Sequence, residues 1–312
     1  MLTMGKSVTF DIRVINFLVR NLDKYIIWKQ RKETKKSGKS WLSLFRDSDN
    51  IIHPLQDGLM IKLYKDSILS RFIYEGFETT EIKFLNYFLK EGDCFVDIGS
   101  NIGMFSLYAS RMVGPSGLVI AFEPASETYK RMLENIKLNN IENIKPNLLG
   151  LSDKDEVLEL NISSNGYEAW NTFVKTADKK FSLKEKVEVK SLDNFLRGNA
   201  IDINKISLIK LDVEGFEINV LKGSSELLAS QNAPVFMVEF TDDNAISAGN
   251  CCHELYKLLL QYNYSWYSYD AALNKLNWEP MRLSYPYNNL IAVKNVGANE
   301  KASRLSLNIP RG

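Results

Sequence analysis

Acidic side chains recur in this sequence at one kind of place, the end of a short apolar run. "CFVDIGSNIGMF" (94–105) passes from apolar residues into Asp97 and then sets Gly99, Asn101 and Gly103 at alternate positions. Glu123 closes "GLVIAFEP", and Ser152 and Asp153 close "NIKPNLLGLSD". Asp212 and Glu214 close "ISLIKLDVEG", and Glu239 closes "APVFMVEF". Ligands of open α/β sheets sit beyond the carboxyl ends of the strands, where strand order reverses. Packing is a poor explanation for an acid at the end of each of these runs; a shared ligand rim is a better one.

The residue types narrow the ligand. Glycines let the chain turn sharply and let a ligand approach the backbone. An acid one strand further on, here Glu123, stands where such sheets grip ribose hydroxyls. The glycine spacing is not G-x-G-x-x-G, and Asp97 would repel the pyrophosphate of a dinucleotide. A cofactor with a ribose, no phosphate and a positive reactive end fits better, and S-adenosylmethionine (SAM) has those properties. The glycine turn is a weak signal by itself; with Asp97 and Glu123 it is a strong one.

The elements that must hold these residues alternate along the chain. "CFVDIG" predicts a strand and "MFSLYASRMV" a helix. "GLVIAFEP" is a second strand, followed by the helix "SETYKRMLENIKLNN" with Ser126 as its N-cap. A third strand lies in "NIKPNLLGLSD", a fourth in "ISLIKLDVEG", then the helix "EINVLKGSSELLAS" and a fifth strand, "APVFMVEF". This pitch predicts a mostly parallel sheet with helices on both faces. "TEIKFLNYFLK" is an amphipathic helix before the first strand, and a small hairpin is expected within 41–75. After residue 250 come a helix, "CHELYKLLLQY", and two closing strands, "YSWYSYD" and "NLIAVK". Residues 154–190 interrupt the pattern with two strand-like runs around a polar connection, a flap or a surface loop. The aromatics Tyr167, Trp170, Phe173, Trp266, Tyr267 and Tyr269 could stack on sugar rings or fill core and interface. The expected divisions are a helical and hairpin extension (1–75), the main domain (76–295, flap included) and a disordered polar tail (296–312).

Composition excludes several classes of function. The 312 residues carry a net charge of +1, with 45% hydrophobic and 25% charged residues, which is not the basic balance of a nucleic-acid binder. Two histidines, His53 and His253, leave little material for a His-rich zinc site or a Ser-His-Asp triad. Three cysteines, two of them adjacent, predict a reduced, cytoplasmic protein without a disulfide framework. No signal peptide or transmembrane segment is expected near the N-terminus, where "VINFLV" is too short to span a bilayer. Residues 8–37 predict a basic amphipathic helix, suited to anionic lipid or an acidic partner, or to packing on its own domain with a charged outer face; the last is preferred. Nothing in the sequence bears on oligomeric state.

"FVDIGSNIGMFSLYASRMVGPSGLVIAFEP", "LENIKLNNI", "GLSD" and "LIKLDVEGFEINVLKG" together resemble the FkbM-type family of SAM-dependent methyltransferases. The resemblance runs from Gly76-Phe77-Glu78 to Phe240, roughly half the chain. It implies a class I methyltransferase fold: a doubly wound, mostly parallel seven-stranded sheet, with the last strand antiparallel. It also implies methyl transfer to a hydroxyl of a saccharide, a glycan precursor or a secondary metabolite. Carried over, Asp97, Gly99, Asn101 and Gly103 match the first cofactor motif, with Ser100 where the family often has Ala. Glu123 takes the ribose hydroxyls, Asp153 lies near the adenine beside Ser152, and Glu78 joins the cofactor-binding set. Asp212, Glu214 and Gly215 match the Asp-Val-Glu-Gly signature.

The candidate catalytic carboxylates are Asp212, Glu214 and Glu239. Asp212 could equally hold the cofactor's amino end, Glu214 could instead bond backbone amides of the next helix, and Lys210 could neutralise both. No metal is expected: a carboxylate cluster can hold Mg²⁺, but these acids already have roles around a cationic cofactor. The rivals are an inactive methyltransferase fold that only binds and, less favoured, an NAD-dependent oxidoreductase.

Overall fold

The computed structural model describes residues 41–163, 171–173, 181–295 and 300–308. The helix expected over 8–37, and Tyr167 and Trp170, lie outside the described residues. The chain divides into two compact units, Met1–Ile51 and Ile52–Gly312, and the cavity-lining residues all belong to the second.

Strand β1 (Asn50–Pro54) and strand β2 (Met60–Tyr64) form a two-stranded sheet, as the short apolar runs predict. Helices α1 (Ile68–Tyr74) and α2 (Thr79–Phe88) follow. Then come β3 (Cys94–Ile98), α3 (Met104–Val113), β4 (Leu118–Phe122), α4 (Ser126–Leu138) and β5 (Ile144–Asn147). Strands β6 (Gly150–Leu151), β7 (Glu156–Ser163) and β8 (Phe181–Lys190) make a separate three-stranded sheet, with β7 and β8 antiparallel. The alternation resumes with α5 (Leu192–Gly198), β9 (Ile206–Leu211), α6 (Glu217–Lys222), α7 (Ser225–Ala229) and β10 (Val235–Phe240). It closes with α8 (Asp242–Ser247), α9 (Cys252–Gln261), β11 (Tyr264–Asp270), β12 (Lys275–Trp278), β13 (Asn288–Lys294), α10 (Glu300–Ser303) and β14 (Leu307–Asn308).

The main sheet has the order β14-β12-β11-β13-β10-β9-β3-β4-β5. From β5 to β10 every pairing is parallel, and β13 runs antiparallel between β10 and β11. The seven expected strands are present, but among the described residues the sheet has nine, because β12 and β14 extend it beyond β11. Strands β3, β9 and β10 are buried along their whole length, which is why they read as unbroken apolar runs. Strand order reverses between β3 and β9, so the carboxyl ends of these two strands flank the crevice in which such sheets bind ligands.

Several boundaries differ from expectation. The strand β2 joins the large unit instead of a separate extension, because α4 holds it. Asn139 Oδ1 accepts the Met60 N–H at 2.8 Å, and Asn135 Oδ1 accepts the Lys62 N–H at 2.7 Å. Ser126 is the first helical residue of α4 and not its cap; Ala125 occupies the cap position. The run "EINVLKGSSELLAS" is two helices, α6 and α7, parted at Gly223 and Ser224.

The polar tail is ordered over 300–308. Arg304 Nη1 donates to Asp93 Oδ2 at 2.6 Å, the Ser306 N–H donates to the Tyr87 hydroxyl, and Leu305 is buried. Trp266 and Tyr267 are core residues, and Tyr269 packs against Phe84 and Tyr87.

Candidate active site

The turn after β3 is built from left-handed backbone. Gly99, Asn101 and Gly103 have φ of 81°, 50° and 89°. A Cβ on Gly99 would lie 1.8 Å from the carbonyl oxygen of Asp212, so no larger residue fits there. Asn101 tolerates its conformation as few other residues do, and its Oδ1 accepts the Ile102 N–H. Glu123 clamps the turn from β4: Oε2 accepts the Asn101 N–H at 3.0 Å and Oε1 the Ala125 N–H at 2.9 Å. Burial pushes its carboxyl up to about 7, against those two amides.

The turn after β9 is equally constrained. Glu214 and Gly215 both have positive φ, 53° and 97°, and a Cβ on Gly215 would strike the Asn244 carbonyl. The side chain that satisfies the backbone is Glu217, whose Oε1 accepts the N–H groups of Val213 and Gly215. The amide-capping role considered for Glu214 therefore belongs to Glu217. Glu214 turns its carboxylate to the Asn244 amide at 2.6 Å instead. One short stretch of the flap closes on this turn: Thr172 Oγ1 donates to the Glu214 carbonyl, and the Phe173 ring packs against Phe216.

Between these turns opens a cavity of about 470 Å³, within the range of small-molecule and cofactor sites. Glu78, Glu123, Asp212, Glu214 and Glu239 line it together with Gly99 and Asn101. Lys210 is the only basic residue among the described lining residues. Its Nζ donates to Asp212 Oδ2 at 2.7 Å and lies 4.7 Å from the centre of the Phe105 ring. Burial alone would lower the Lys210 ammonium, but Asp212, Glu78 and Asp97 outweigh it and hold the group above the ordinary lysine range. Glu78 is pushed up to about 8, chiefly by burial, against the pull of Lys210. Burial, reinforced by the Asp212 charge, holds Glu214 and Glu239 well above the ordinary carboxylate range.

The fold brings together Glu78, Gly99, Asn101, Glu123, Asp212, Glu214 and Glu239, residues spread over more than half the chain. Four expected residues do not face the cavity. Asp97 is fully buried behind it, with Oδ2 accepting from the Ser106 hydroxyl at 2.6 Å and Oδ1 unbonded. Gly103 starts α3 and does not line the cavity. Ser152 and Asp153 bond each other outside the lining, where Leu149, Gly150 and Leu151 form the wall instead. The reason is register: the strand-three segment breaks after Asn147, and its acid falls past the rim.

Sequence reasoning missed Tyr287, Thr241, Asp243 and Asn244. The last three sit in "TDDN", directly after the fifth strand, a visible signal; nothing in "YPYNN" marks Tyr287, whose hydroxyl donates to Glu78 Oε1 at 3.1 Å. Neither histidine is near: His53 packs on Tyr74, and His253 Nε2 bonds the Arg282 carbonyl.

A strand order that reverses between β3 and β9, with an antiparallel strand inserted beside β10 and an acid-lined cavity at the parallel ends, defines the class I methyltransferase fold. The methyltransferase FkbM domain matches residues 97–266, more than half of the chain, and the chain belongs to that family. Methyltransferase 1 of Beauveria bassiana is 34% identical over 143 residues, covering 41% of this chain and 57% of its own. The hexuronic acid methyltransferase AglP of Haloferax volcanii is 31% identical over 146 residues, covering 46% of this chain and 54% of its own. The chain thus spans little more than half the length of these curated relatives. Among solved structures, a precorrin-6y C5,15-methyltransferase from Geobacter metallireducens is 12% identical with a TM-score of 0.40, over 70% of this chain and 88% of that one. A SAM-dependent methyltransferase from Aquifex aeolicus is 13% identical with a TM-score of 0.39, over 69% and 88%. The sheet order, and not these superpositions, defines the fold.

Proposed function

We propose that this protein is a SAM-dependent O-methyltransferase acting on a neutral hydroxyl of a saccharide, a glycan precursor or a secondary metabolite. The observation that carries the reading is the sign of the cavity. Six acidic side chains, Asp243 among them, line it beside a glycine turn, against one lysine already paired with Asp212. A pyrophosphate would meet that field unfavourably, whereas a sulfonium and an ammonium would lower its energy. The close approach of Gly99 to the Asp212 backbone and the ribose-side position of Glu123 fit the same cofactor.

When bound, SAM supplies an electrophilic methyl group. Gly99, Asn101 and Glu123 would hold its nucleoside, and Glu78 and Asp212 would balance its positive charge. Holding the acceptor oxygen in line accounts for up to about 7–11 kcal/mol of the barrier. Asp212, Glu214 or Glu239 orients the acceptor hydroxyl and takes its proton, worth about 10²–10⁴-fold. Phe173, Phe72 and Phe77 supply apolar wall. The same negative field disfavours a free uronate as acceptor, which separates this reading from the substrate in the Haloferax relative's name.

No helix among the described residues is long and apolar enough to cross a membrane, and Cys94, Cys251 and Cys252 are all free thiols. The free thiols fit a cytoplasmic site of action. The test is calorimetry with SAM, then methyl-labelled SAM with pools of neutral and anionic saccharides and mass spectrometry of the products. Binding followed by label on a hydroxyl is expected; absence of SAM binding by the folded chain would overturn the reading.

A further inference from the structure

We propose that Asp212, Glu214 and Glu239 form a binding site for one hard divalent cation, Mg²⁺ or Mn²⁺, at the carboxyl ends of β9 and β10. One oxygen from each of these residues lies within 4.8 Å of the others. Oxygens on opposite sides of a cation bound at 2.0–2.6 Å are about 4–5 Å apart, so the three can share one ion. The donor set is oxygen only, with no histidine or cysteine beside it, which selects hard cations over zinc or copper.

Two further observations point to a ligand. Glu239 is 8% exposed and lines the cavity, yet its carboxylate makes no hydrogen bond or ion pair among the described residues. Thr241, two residues on and also lining the cavity, has a buried Oγ1 with no hydrogen-bond partner. The Thr241 hydroxyl breaks the rule that buried polar atoms are satisfied, and the largely buried Glu239 side chain faces the cavity without a bonded partner among the described residues. Lys210 does not resolve this, because its Nζ bonds Asp212 Oδ2 and makes no ion pair with Glu239.

Glu214 is held for the role by Asn244, which fixes one carboxylate oxygen and leaves the other free. Its left-handed backbone, locked by Gly215 and by Glu217, sets the direction of that carboxylate. Three carboxylates leave the remaining coordination positions to water or to oxygens of the acceptor. A cation there would polarise an acceptor hydroxyl and ease its deprotonation. This departs from the expectation of a metal-free site. What the cation does rests on the methyltransferase reading; that it binds does not.

The test is Mn²⁺ titration of the full chain, followed by electron paramagnetic resonance and calorimetry, with Mg²⁺ as competitor and SAM binding measured in parallel. One Mn²⁺ per chain is expected, displaced by Mg²⁺ and weakened about tenfold or more in Glu239→Gln and Asp212→Asn. Glu188→Gln, exposed on β8, should leave it unchanged. The proposal falls if the folded protein takes up no Mn²⁺ at millimolar concentration, or if Glu239→Gln binds as well as the parent. It falls too if saturating SAM expels the ion, since the same oxygens would then serve the cofactor's ammonium. Near-UV circular dichroism establishes that each variant is folded. Mn²⁺ uptake without SAM binding would sink the methyltransferase reading alone, and the reverse pattern would sink the cation site alone.

Discussion

Lys210 and Asp212 are joined through Nζ and Oδ2 at 2.7 Å, two residues apart at the end of one strand, with the lysine side chain only 5% exposed. Opposite Lys210 on β3 lies Asp97, fully buried. One cation therefore sits among the buried and half-buried acids of the site. Replacing it by methionine leaves those carboxylates uncompensated. Because Asp212 is partly solvated, Lys210→Met is expected to cost about 2–4 kcal/mol, read from urea unfolding. Adding Asp212→Asn should recover part of the loss, and equal stability of Lys210→Met and the parent would refute the argument.

The close approach of Gly99 to the Asp212 carbonyl makes a second prediction. Gly99→Ala adds a methyl group where a backbone oxygen already stands, at a φ of 81°. The backbone must shift, at a cost of about 2 kcal/mol or more. SAM affinity should fall at least about tenfold, since each 1.4 kcal/mol is a decade. Calorimetry on Gly99→Ala and on Ser100→Ala, which the family resemblance tolerates, separates the turn from its neighbour.

Glu123 sets a pH dependence. Its carboxyl is pushed from 4.5 up to about 7 in the fold, so the native state holds a proton that the unfolded chain has lost. Between pH 4.5 and 7 the native state therefore binds more protons, and stability contributed by this group falls as pH rises, then levels above 7. The hydroxyls of a bound ribose would donate to the ionised carboxylate and favour it, so SAM affinity should rise from pH 6 to 8 with release of protons. Glu123→Gln should flatten the Glu123 part of both profiles, as measured by unfolding and by calorimetry in two buffers. A slope unchanged by the substitution would assign the pH dependence to another group.

For the chemical step, Asp212→Asn, Glu214→Gln and Glu239→Gln are expected to lower kcat by about 10²–10⁴-fold wherever the carboxylate takes or orients the proton. SAM affinity should be preserved in Glu214→Gln and Glu239→Gln and reduced in Asp212→Asn. Single-turnover transfer to the acceptor found by labelling reads the first effect, and calorimetry the second. Parent-like turnover in all three would remove them from catalysis.

The C-terminal segment should be structural. Arg304 meets Asp93 at 2.6 Å with both side chains largely buried, and Asp93 also accepts from the Ser207 hydroxyl and the Lys90 N–H. Arg304→Ala is expected to cost about 2–3 kcal/mol, seen as a lower Tm with SAM affinity unchanged.

Much of the strand-end rim was legible because it is local. A strand buried on both faces is an apolar run, and the residue after it lies at the rim whatever the rest of the chain does; Asp212 and Glu123 were found that way, and Glu239 lies just inside the end of β10. Ser152 and Asp153 failed the same test because their strand breaks early at Asn147, and the break leaves no mark in composition. Ser126 looked like a cap, yet Ala125 holds that position and the Ser126 N–H points to Glu185 on β8. Partners that far apart in sequence are invisible to periodicity.

By itself, the sequence determined the alternation of strands and helices, the glycine turn and the negative sign of the rim, since each follows from neighbouring residues. Only the tertiary structure decided that Glu78 and Tyr287, 209 residues apart, meet across the cavity mouth. It also decided that Glu217 instead of Glu214 caps the turn, and that Asp97 stands behind the cavity. The physical reason is that a strand's period assigns a side chain to a face, while which charges share a low-dielectric pocket depends on how the strands are ordered.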